Sequence, residues 1–423
     1  MVYGGRGMGR VDGKVIFVPY TAPGDRARVE VVRHKKDYAE ATLKSLEQAS
    51  LLRAEPFCNA FGRCGGCHYQ HITYPAQLKL KEESLKDCLY HPVKAGSLDL
   101  LPCIPSPADR AYRIRAQLKK GKAGGREVLG FYERKSHILV EATECPLLHP
   151  LANGILKSLQ RQLEKRERGF SIRGADIQVS PDEGKGLIRL WMEGSCSPRM
   201  AEILGREIPG VKGVALEGKQ KITWGELTLT YHWPGILGKR ALITQASYDS
   251  FSQVNPYQNW NLMRRVLELA DLTGEEKVLD LYCGSGNLTL PLAQRASRVW
   301  GVDLDRRAIQ NAAENATTNG LPNCVFLAAS VREGIERVLG ETDSINLVVL
   351  DPPRAGVIAA LESLTLLRPQ KILYVSCEPP TLARDLVRLR ELGYVEKRVQ
   401  ALDMFPHTYH IEVVAEVIRG WEP

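Results

Sequence analysis

A chain of 423 residues exceeds one ordinary hydrophobic core, so two or three domains are expected. With 44% hydrophobic and 25% charged residues, and no uncharged apolar run near the ~20 residues needed to span a bilayer, the composition fits a globular protein and excludes an integral membrane protein. The net charge of +8 is uneven: residues 1–50 carry 9 Lys and Arg against 6 Asp and Glu, 51–243 carry 30 against 20, and 244–423 carry 18 against 23. A polyanionic partner is therefore expected to meet the first 243 residues, with other work done by the rest.

The opening MVYGGRGMGR has no apolar core behind its basic residues, so a cytoplasmic protein is expected. Residues 1–46 alternate valines with charged residues between Gly and Pro turns, as in VDGKVIFVPY and DRARVEVV, which predicts a small β-barrel within 1–50. Residues 51–243 mix strand-like runs, such as GLIRLWME and ELTLTYHW, with two segments of helical periodicity, QLKLKEESLKDCLY and LANGILKSLQRQLEKRERGF; a central β-rich α+β domain is predicted. From 244 to 423 the texture changes. The short apolar runs EKVLDLY, RVWGVDL, NCVFLAA, INLVVLD and KILYVSC are separated by helix-like stretches, which predicts a Rossmann-like α/β domain with a mostly parallel sheet. YVEKRVQALDMF and HIEVVAEVIR, with no long helix between them, predict an antiparallel pair closing that sheet.

Chemistry concentrates at the carboxyl ends of those strands, where α/β sheets bind ligands. VLDLYCGSGNLTL puts Tyr282, Gly284, Gly286 and Asn287 into a glycine turn that lets a ligand approach the backbone, and Asp303 ends the next strand 19 positions after Gly284. The third glycine of the dinucleotide fingerprint is absent, and the combination looks like a class I methyltransferase site for S-adenosylmethionine. Cys283, in the same turn, is expected to be wall. Asp351 opens DPPRAG, where Arg354 replaces the aromatic residue that would stack on a base in amino-methyltransferases. Cys377 ends an apolar strand just before Pro379 and Pro380 start a helix, so the helix dipole and free N–H groups are expected to favour its thiolate. Glu412 begins the last strand beside His407 and His410.

Five motifs in order, FSQVNP (251–256), DLYCGSGNLTL (280–290), DPPRAG (351–356), SCEPPTLARDL (376–386) and FPHTYHIEVV (405–414), resemble the RNA 5-methyluridine methyltransferase family. The first residues, YGGRGMGRVDGKVIFVPYTAPGDRARVEV, are similar to a TRAM domain, which implies RNA contact. The resemblance implies Cys377 as nucleophile, Glu412 as base, Gln253 and Asp351 lining the cofactor and base pocket, and S-adenosylmethionine as methyl donor. Glu378 stands where Asn or Asp is common in the family. Carbon 5 of uracil is a weak nucleophile until a thiolate adds to carbon 6, which is why such a pair is needed. Because carbon 6 is hidden in a stacked helix, the base must be single-stranded or flipped, with Phe251 as a candidate stacking surface.

EPFCNAFGRCGGCHYQH spaces Cys58, Cys64 and Cys67 as three thiols able to face one metal centre, with the fourth ligand coming from Cys88, Cys103 or Cys145. Spacing alone leaves zinc, an iron–sulfur cluster or unliganded thiols open. The family resemblance implies a [4Fe-4S] cluster, with Cys145 in its Glu-Cys-Pro setting as fourth ligand. The function expected is methylation of uridine carbon 5 in RNA, large-subunit (23S) ribosomal RNA being favoured over transfer RNA, by a monomer with no protein partner. The alternative is a non-catalytic RNA-binding iron–sulfur protein.

Overall fold

The computed structural model describes residues 1–93, 98–123, 125–164 and 171–420. The first 48 residues form β1 (Arg6–Val11), β2 (Lys14–Pro19), β3 (Arg26–His34) and β4 (Tyr38–Gln48), paired in the order β1-β2-β4-β3. Asp12 and Gly13, at φ 49° and 79°, make the two-residue turn that matches strand twist between β1 and β2. Alternation buries Ile16, Val18, Ala39 and Ala41 on the inner face.

Helix α1 (Tyr74–Val93) and strand β5 (Asp99–Ile104) follow. The central elements are β6 (Arg115–Ala123), β7 (Arg126–Tyr132), β8 (Leu139–Glu141), α2 (Pro150–Glu164), β9 (Ile172–Ser180), β10 (Lys185–Met192), α3 (Pro198–Glu207), β11 (Val211–Glu217) and β12 (Lys221–Gly225). Their strands make one seven-stranded sheet, β12-β11-β10-β9-β6-β7-β8, with α2 and α3 packed on it. The period-two pattern is plain in the approach to β6 and its first half: Ile114, Ala116 and Leu118 are buried while Arg115, Gln117 and Lys119 are not. The second half of the helix expected after LANGILKSL reaches 165–170, which lies outside the described residues. A two-stranded ribbon, β13 (Thr228–Trp233) with β14 (Leu242–Ser247), completes this part.

The remaining elements are α4 (Pro256–Ala270), β15 (Lys277–Leu281), α5 (Thr289–Ala293), β16 (Arg298–Asp303), α6 (Arg306–Thr318), β17 (Cys324–Ala328), α7 (Val331–Glu341), β18 (Leu347–Leu350), α8 (Leu361–Leu366), β19 (Lys371–Ser376), α9 (Pro379–Glu391), β20 (Tyr394–Leu402) and β21 (Glu412–Arg419). They build an eight-stranded sheet in the order β17-β16-β15-β18-β19-β21-β20-β5. β15 to β19 are parallel, which buries all but the edge strand β17 on both faces and explains their continuous apolar runs, and β21 is antiparallel to both β19 and β20.

Sheet membership does not follow the 51–243 and 244–423 division read from the sequence. β5 pairs with β20, α1 packs against α9, and Leu85, Leu89 and Cys103 belong to the core of the eight-stranded sheet. A buried ion pair, Lys81 Nζ to Asp403 Oδ1 at 2.5 Å, bolts α1 to the end of β20. The helical and strand periodicities of 74–104 were legible, but nothing local says which sheet they join. Among the described residues no helix is long and apolar enough to cross a membrane.

Candidate active site

β15 runs straight into a turn with three left-handed residues, Tyr282 (φ 64°), Gly284 (φ 53°) and Gly286 (φ 89°). A Cβ on Gly284 would meet nothing within 4 Å, so the turn faces open space; one on Gly286 would sit 3.2 Å from Leu290. The Gly284 N–H donates to Asp303 Oδ2 at 3.0 Å, and Asp303 Oδ1 accepts from the Asp305 N–H at 2.9 Å. One carboxylate at the end of β16 therefore ties the glycine turn to the start of α6, which Asp305 caps. Beneath the turn, Asp280 is fully buried, accepts from the Thr289 hydroxyl at 2.5 Å and keeps Oδ1 without a partner. Burial, with a smaller contribution from Asp351 and Asp303, pushes its carboxyl up to about 7.

In front of this turn lies a cleft whose lining includes Phe251, Gln253, Tyr282, Gly284, Asn287 and Asp351. Gly286 and Asp303 lie outside the lining, and Asp303 acts through the Gly284 amide. Cys283 is buried, as wall. Both ends of the Asn287 side-chain amide engage Asn259, at 2.7 and 2.9 Å, so a buried residue of α4 fixes a side chain expected to meet cofactor. Asn259, Tyr231 and Trp233 were not singled out from the sequence, because they reach the cleft from α4 and the β13–β14 ribbon. Gly301 was also missed: a Cβ there would stand 2.8 Å from Phe326 and 3.0 Å from the Cys283 sulfur. A glycine inside a buried strand was the available signal.

The second half of the site comes from a strand register. β19 and β21 pair antiparallel with Ser376 opposite Val413, so the next step sets Cys377 opposite Glu412. Glu412 is also paired with Leu402 of β20, and it is 3% exposed. Burial, reinforced by Asp351, raises its carboxyl well above the ordinary carboxylate range. Asp351 is pushed up to about 7 by burial. Cys377 is half-buried; burial first, then the charges of Glu412, Asp351 and Glu378, push its thiol up to about 11, against the pull of Arg354. That corrects the expectation of a thiolate favoured by the helix start. Pro379 and Pro380 occupy the first helical positions and have no N–H to offer, while three acidic neighbours surround the sulfur.

The Asp-Pro-Pro loop is clamped from α9. Asp385, fully buried, accepts from the Val357 N–H at 2.8 Å and the Tyr374 hydroxyl at 2.7 Å, and Arg384 donates to the Ala355 carbonyl at 2.8 Å. Gly356, at φ 78°, lies so close that a Cβ would meet Asp385 at 2.3 Å. Phe251 stands at the cleft rim, 69% exposed. The last motif is held in turn by the cysteine-rich loop and α1. The His68 and Tyr69 N–H groups donate to the His407 carbonyl at 2.8 and 3.0 Å, and the His407 N–H donates to Gln77 at 3.0 Å.

Of the three candidate fourth ligands, Cys145 is the one whose charge is felt at Cys64 and Cys67, and Cys58 is felt at Cys145. Cys88 instead neighbours Asp87 and Glu378, and Cys103 neighbours Asp403, Lys81 and Glu82. Burial dominates at Cys67, whose thiol is pushed up to about 12. The four thiols thus gather in one region, although among the described residues no set of three or more His, Cys, Asp or Glu stands at metal-binding separations.

Comparison with known proteins places this geometry. A family described as tRNA (uracil-5-)-methyltransferase matches residues 197–418, and the TRAM domain matches 3–44. A relative from Halalkalibacterium halodurans, described as an uncharacterized RNA methyltransferase, is 34% identical over 439 residues, covering 98% of this chain and 94% of the relative. One from Caldanaerobacter subterraneus, described in the same way, is 34% identical over 441 residues, covering 99% and 96%. The crystal structure of the Pyrococcus abyssi tRNA (uracil-54, C5)-methyltransferase in complex with S-adenosyl-L-homocysteine aligns with a TM-score of 0.73 and 28% identity, over 98% of this chain and 100% of that one.

Proposed function

The chain belongs to the tRNA (uracil-5-)-methyltransferase family, and from that premise we propose that it methylates carbon 5 of a uridine in RNA through a covalent bond between Cys377 and carbon 6. It is an enzyme, an S-adenosylmethionine-dependent RNA uracil methyltransferase, which sets aside the non-catalytic alternative. What supports the finer reading is the register that sets Cys377 opposite Glu412, with Asp351, which lines the cleft, acting on both. The open space before Gly284, with Gln253 and the Asn287 turn around it and Asp303 holding the Gly284 amide, fits the nucleoside of S-adenosylmethionine, which supplies an electrophilic methyl group when bound.

Cys377, once deprotonated, adds to carbon 6 and makes carbon 5 nucleophilic. Arg354 favours that thiolate. After methyl transfer Glu412, itself deprotonated, takes the proton from carbon 5, and the sulfur leaves. Phe251 offers its exposed ring to the extruded base or its neighbour. RNA carrying 5-fluorouridine at the target should be methylated and then trapped, because fluorine cannot leave as a cation, and Cys377→Ala should give neither adduct nor product. An active Cys377→Ala enzyme would overturn the covalent route.

The nearness of Cys58 and Cys145 to the Cys64 and Cys67 thiols supports a [4Fe-4S] cluster held by those four thiolates, with zinc as the second reading. Its place, on the loop whose His68 and Tyr69 hold His407, suits it to fixing the last motif. The TRAM-type barrel and thiol-rich loop favour large-subunit ribosomal RNA, whereas the P. abyssi protein is named for uracil 54 of tRNA. Mapping 5-methyluridine in RNA treated with the enzyme separates the two. A cytoplasmic monomer is part of the same proposal.

A further inference from the structure

One face of the central sheet is covered by α2 and α3, and its apolar rows end in Leu118, Ile177, Ile188 and Val214. The opposite face follows from the register. Lys119 pairs with Gly174, Gly174 with Trp191, and Trp191 with Glu217, whose own partner on the edge strand is Lys221. Cross-strand partners share a face, so these side chains form one row. A second row beside it runs Gln117, Asp176, Arg189. Trp191 is half-buried and lies outside the apolar core clusters. It rests over the bare backbone of Gly174, where a Cβ would come within 3.4 Å of the indole. Arg189 stands 5.2 Å and Lys119 5.8 Å from the indole centre, and Lys221 lies 4.9 Å over Tyr248.

This face is continuous with the catalytic cleft. Tyr248 begins the loop that carries Phe251 and Gln253, and three side chains of the sheet pin that loop. Glu217 accepts from the Tyr248 hydroxyl at 3.0 Å, Arg115 donates to the Ser250 carbonyl at 3.3 Å, and Gln178 donates to Ser252 Oγ at 3.1 Å. Along the way Asp176 and Gln178, 4% and 3% exposed, each keep one side-chain oxygen without a hydrogen-bond partner. A basic surface with an aromatic platform, leading into a cleft that takes an extruded base, is what a single strand of nucleic acid requires.

We infer that the part of this face around Trp191, a base-stacking platform flanked by Lys119, Arg189 and Lys221, binds the single-stranded RNA segment that adjoins the target uridine. The inference rests on the activity proposed above. A stacked base on Trp191 and a flipped uridine at Phe251 would be held by one rigid scaffold, because the loop bearing Phe251 is hydrogen-bonded to the same sheet.

The test uses the full chain and a short single-stranded oligouridylate carrying 4-thiouridine as probe. Irradiation should cross-link the peptide containing Trp191. Trp191→Ala should weaken binding by about 5- to 100-fold, the range that loss of one stacked base produces, while Trp191→Phe should retain most of the affinity. Circular dichroism and thermal melting verify that each variant is folded. Cross-links confined to other surfaces in the wild-type protein, or unchanged affinity in folded Trp191→Ala, would overturn the inference; so would burial of this face by a second copy of the chain without RNA. Methyl transfer to bulk RNA, followed in the same preparation, distinguishes the two levels. If it persists while the face binds no RNA, only the docking surface is lost, and if it is absent, the proposed activity fails as well.

Discussion

Replacing Glu412 by Gln tests whether the acidic neighbours of Cys377 control its nucleophile. In the free protein the thiol rises from 9.0 to about 11, so its thiolate population is about a hundredfold below that of an ordinary cysteine at the same pH. Two full charges about 5 Å apart, a typical cross-strand separation, would repel by roughly 3 kcal/mol at an effective dielectric near 20. That alone would account for the entire rise. Burial is the larger cause, however, and Glu412 itself resists ionisation, so removing its charge should restore only about threefold to tenfold of the lost thiolate. The sign is fixed: a vanished negative neighbour lowers the thiol pKa, and Arg354→Ala raises it. Iodoacetamide labelling of the peptide containing Cys377, timed between about pH 7 and 9 by mass spectrometry, reads the thiolate directly. Glu412→Gln should label faster and Arg354→Ala slower. With ordinary RNA, Glu412→Gln should also accumulate the covalent complex, since carbon 5 keeps its proton. Labelling unchanged or slowed in Glu412→Gln would refute the electrostatic argument, and an adduct that turns over at the wild-type rate would refute Glu412 as base.

Other outcomes follow from the same geometry. Asp303→Ala should weaken S-adenosylhomocysteine binding by about 1 to 3 kcal/mol in calorimetry, through a glycine turn released at the Gly284 amide. Lys81→Met strands a buried Asp403 carboxylate and should destabilise the fold by about 3 to 5 kcal/mol in chemical denaturation, whereas the double change with Asp403→Leu should recover a large part of that loss. Anaerobically purified protein should be brown with about four irons per chain, and Cys145→Ala should lose iron while Cys103→Ala keeps it. Stoichiometric zinc without iron would rule out the cluster.

The local texture of this chain was legible without coordinates. Runs such as LVVL and ILYV are apolar throughout because parallel strands are buried on both faces, and the alternation in RARVEVV marks a sheet with one wet face. The five motifs were legible for the same reason, since a glycine turn, an Asp-Pro-Pro loop and a Cys before Pro-Pro are each chemistry written in a few adjacent residues. What only the tertiary structure decided was every relation between distant residues. Cys377 faces Glu412 because β19 and β21 share one register, although 35 positions separate the two. Cys145, and not Cys88 or Cys103, neighbours the thiol array, and β5 adds to a sheet whose other strands begin at 277. The thiol of Cys377 shifts against expectation because its titration answers to burial and to charges brought in by two distant segments, Glu412 and the Asp351–Arg354 loop, besides its neighbour Glu378. The row of Lys119, Gly174 and Trp191 likewise exists only as cross-strand pairing. Periodicity and turn chemistry are properties of adjacent residues, whereas pairing, burial and electrostatic environment are set by which segments the whole chain brings together.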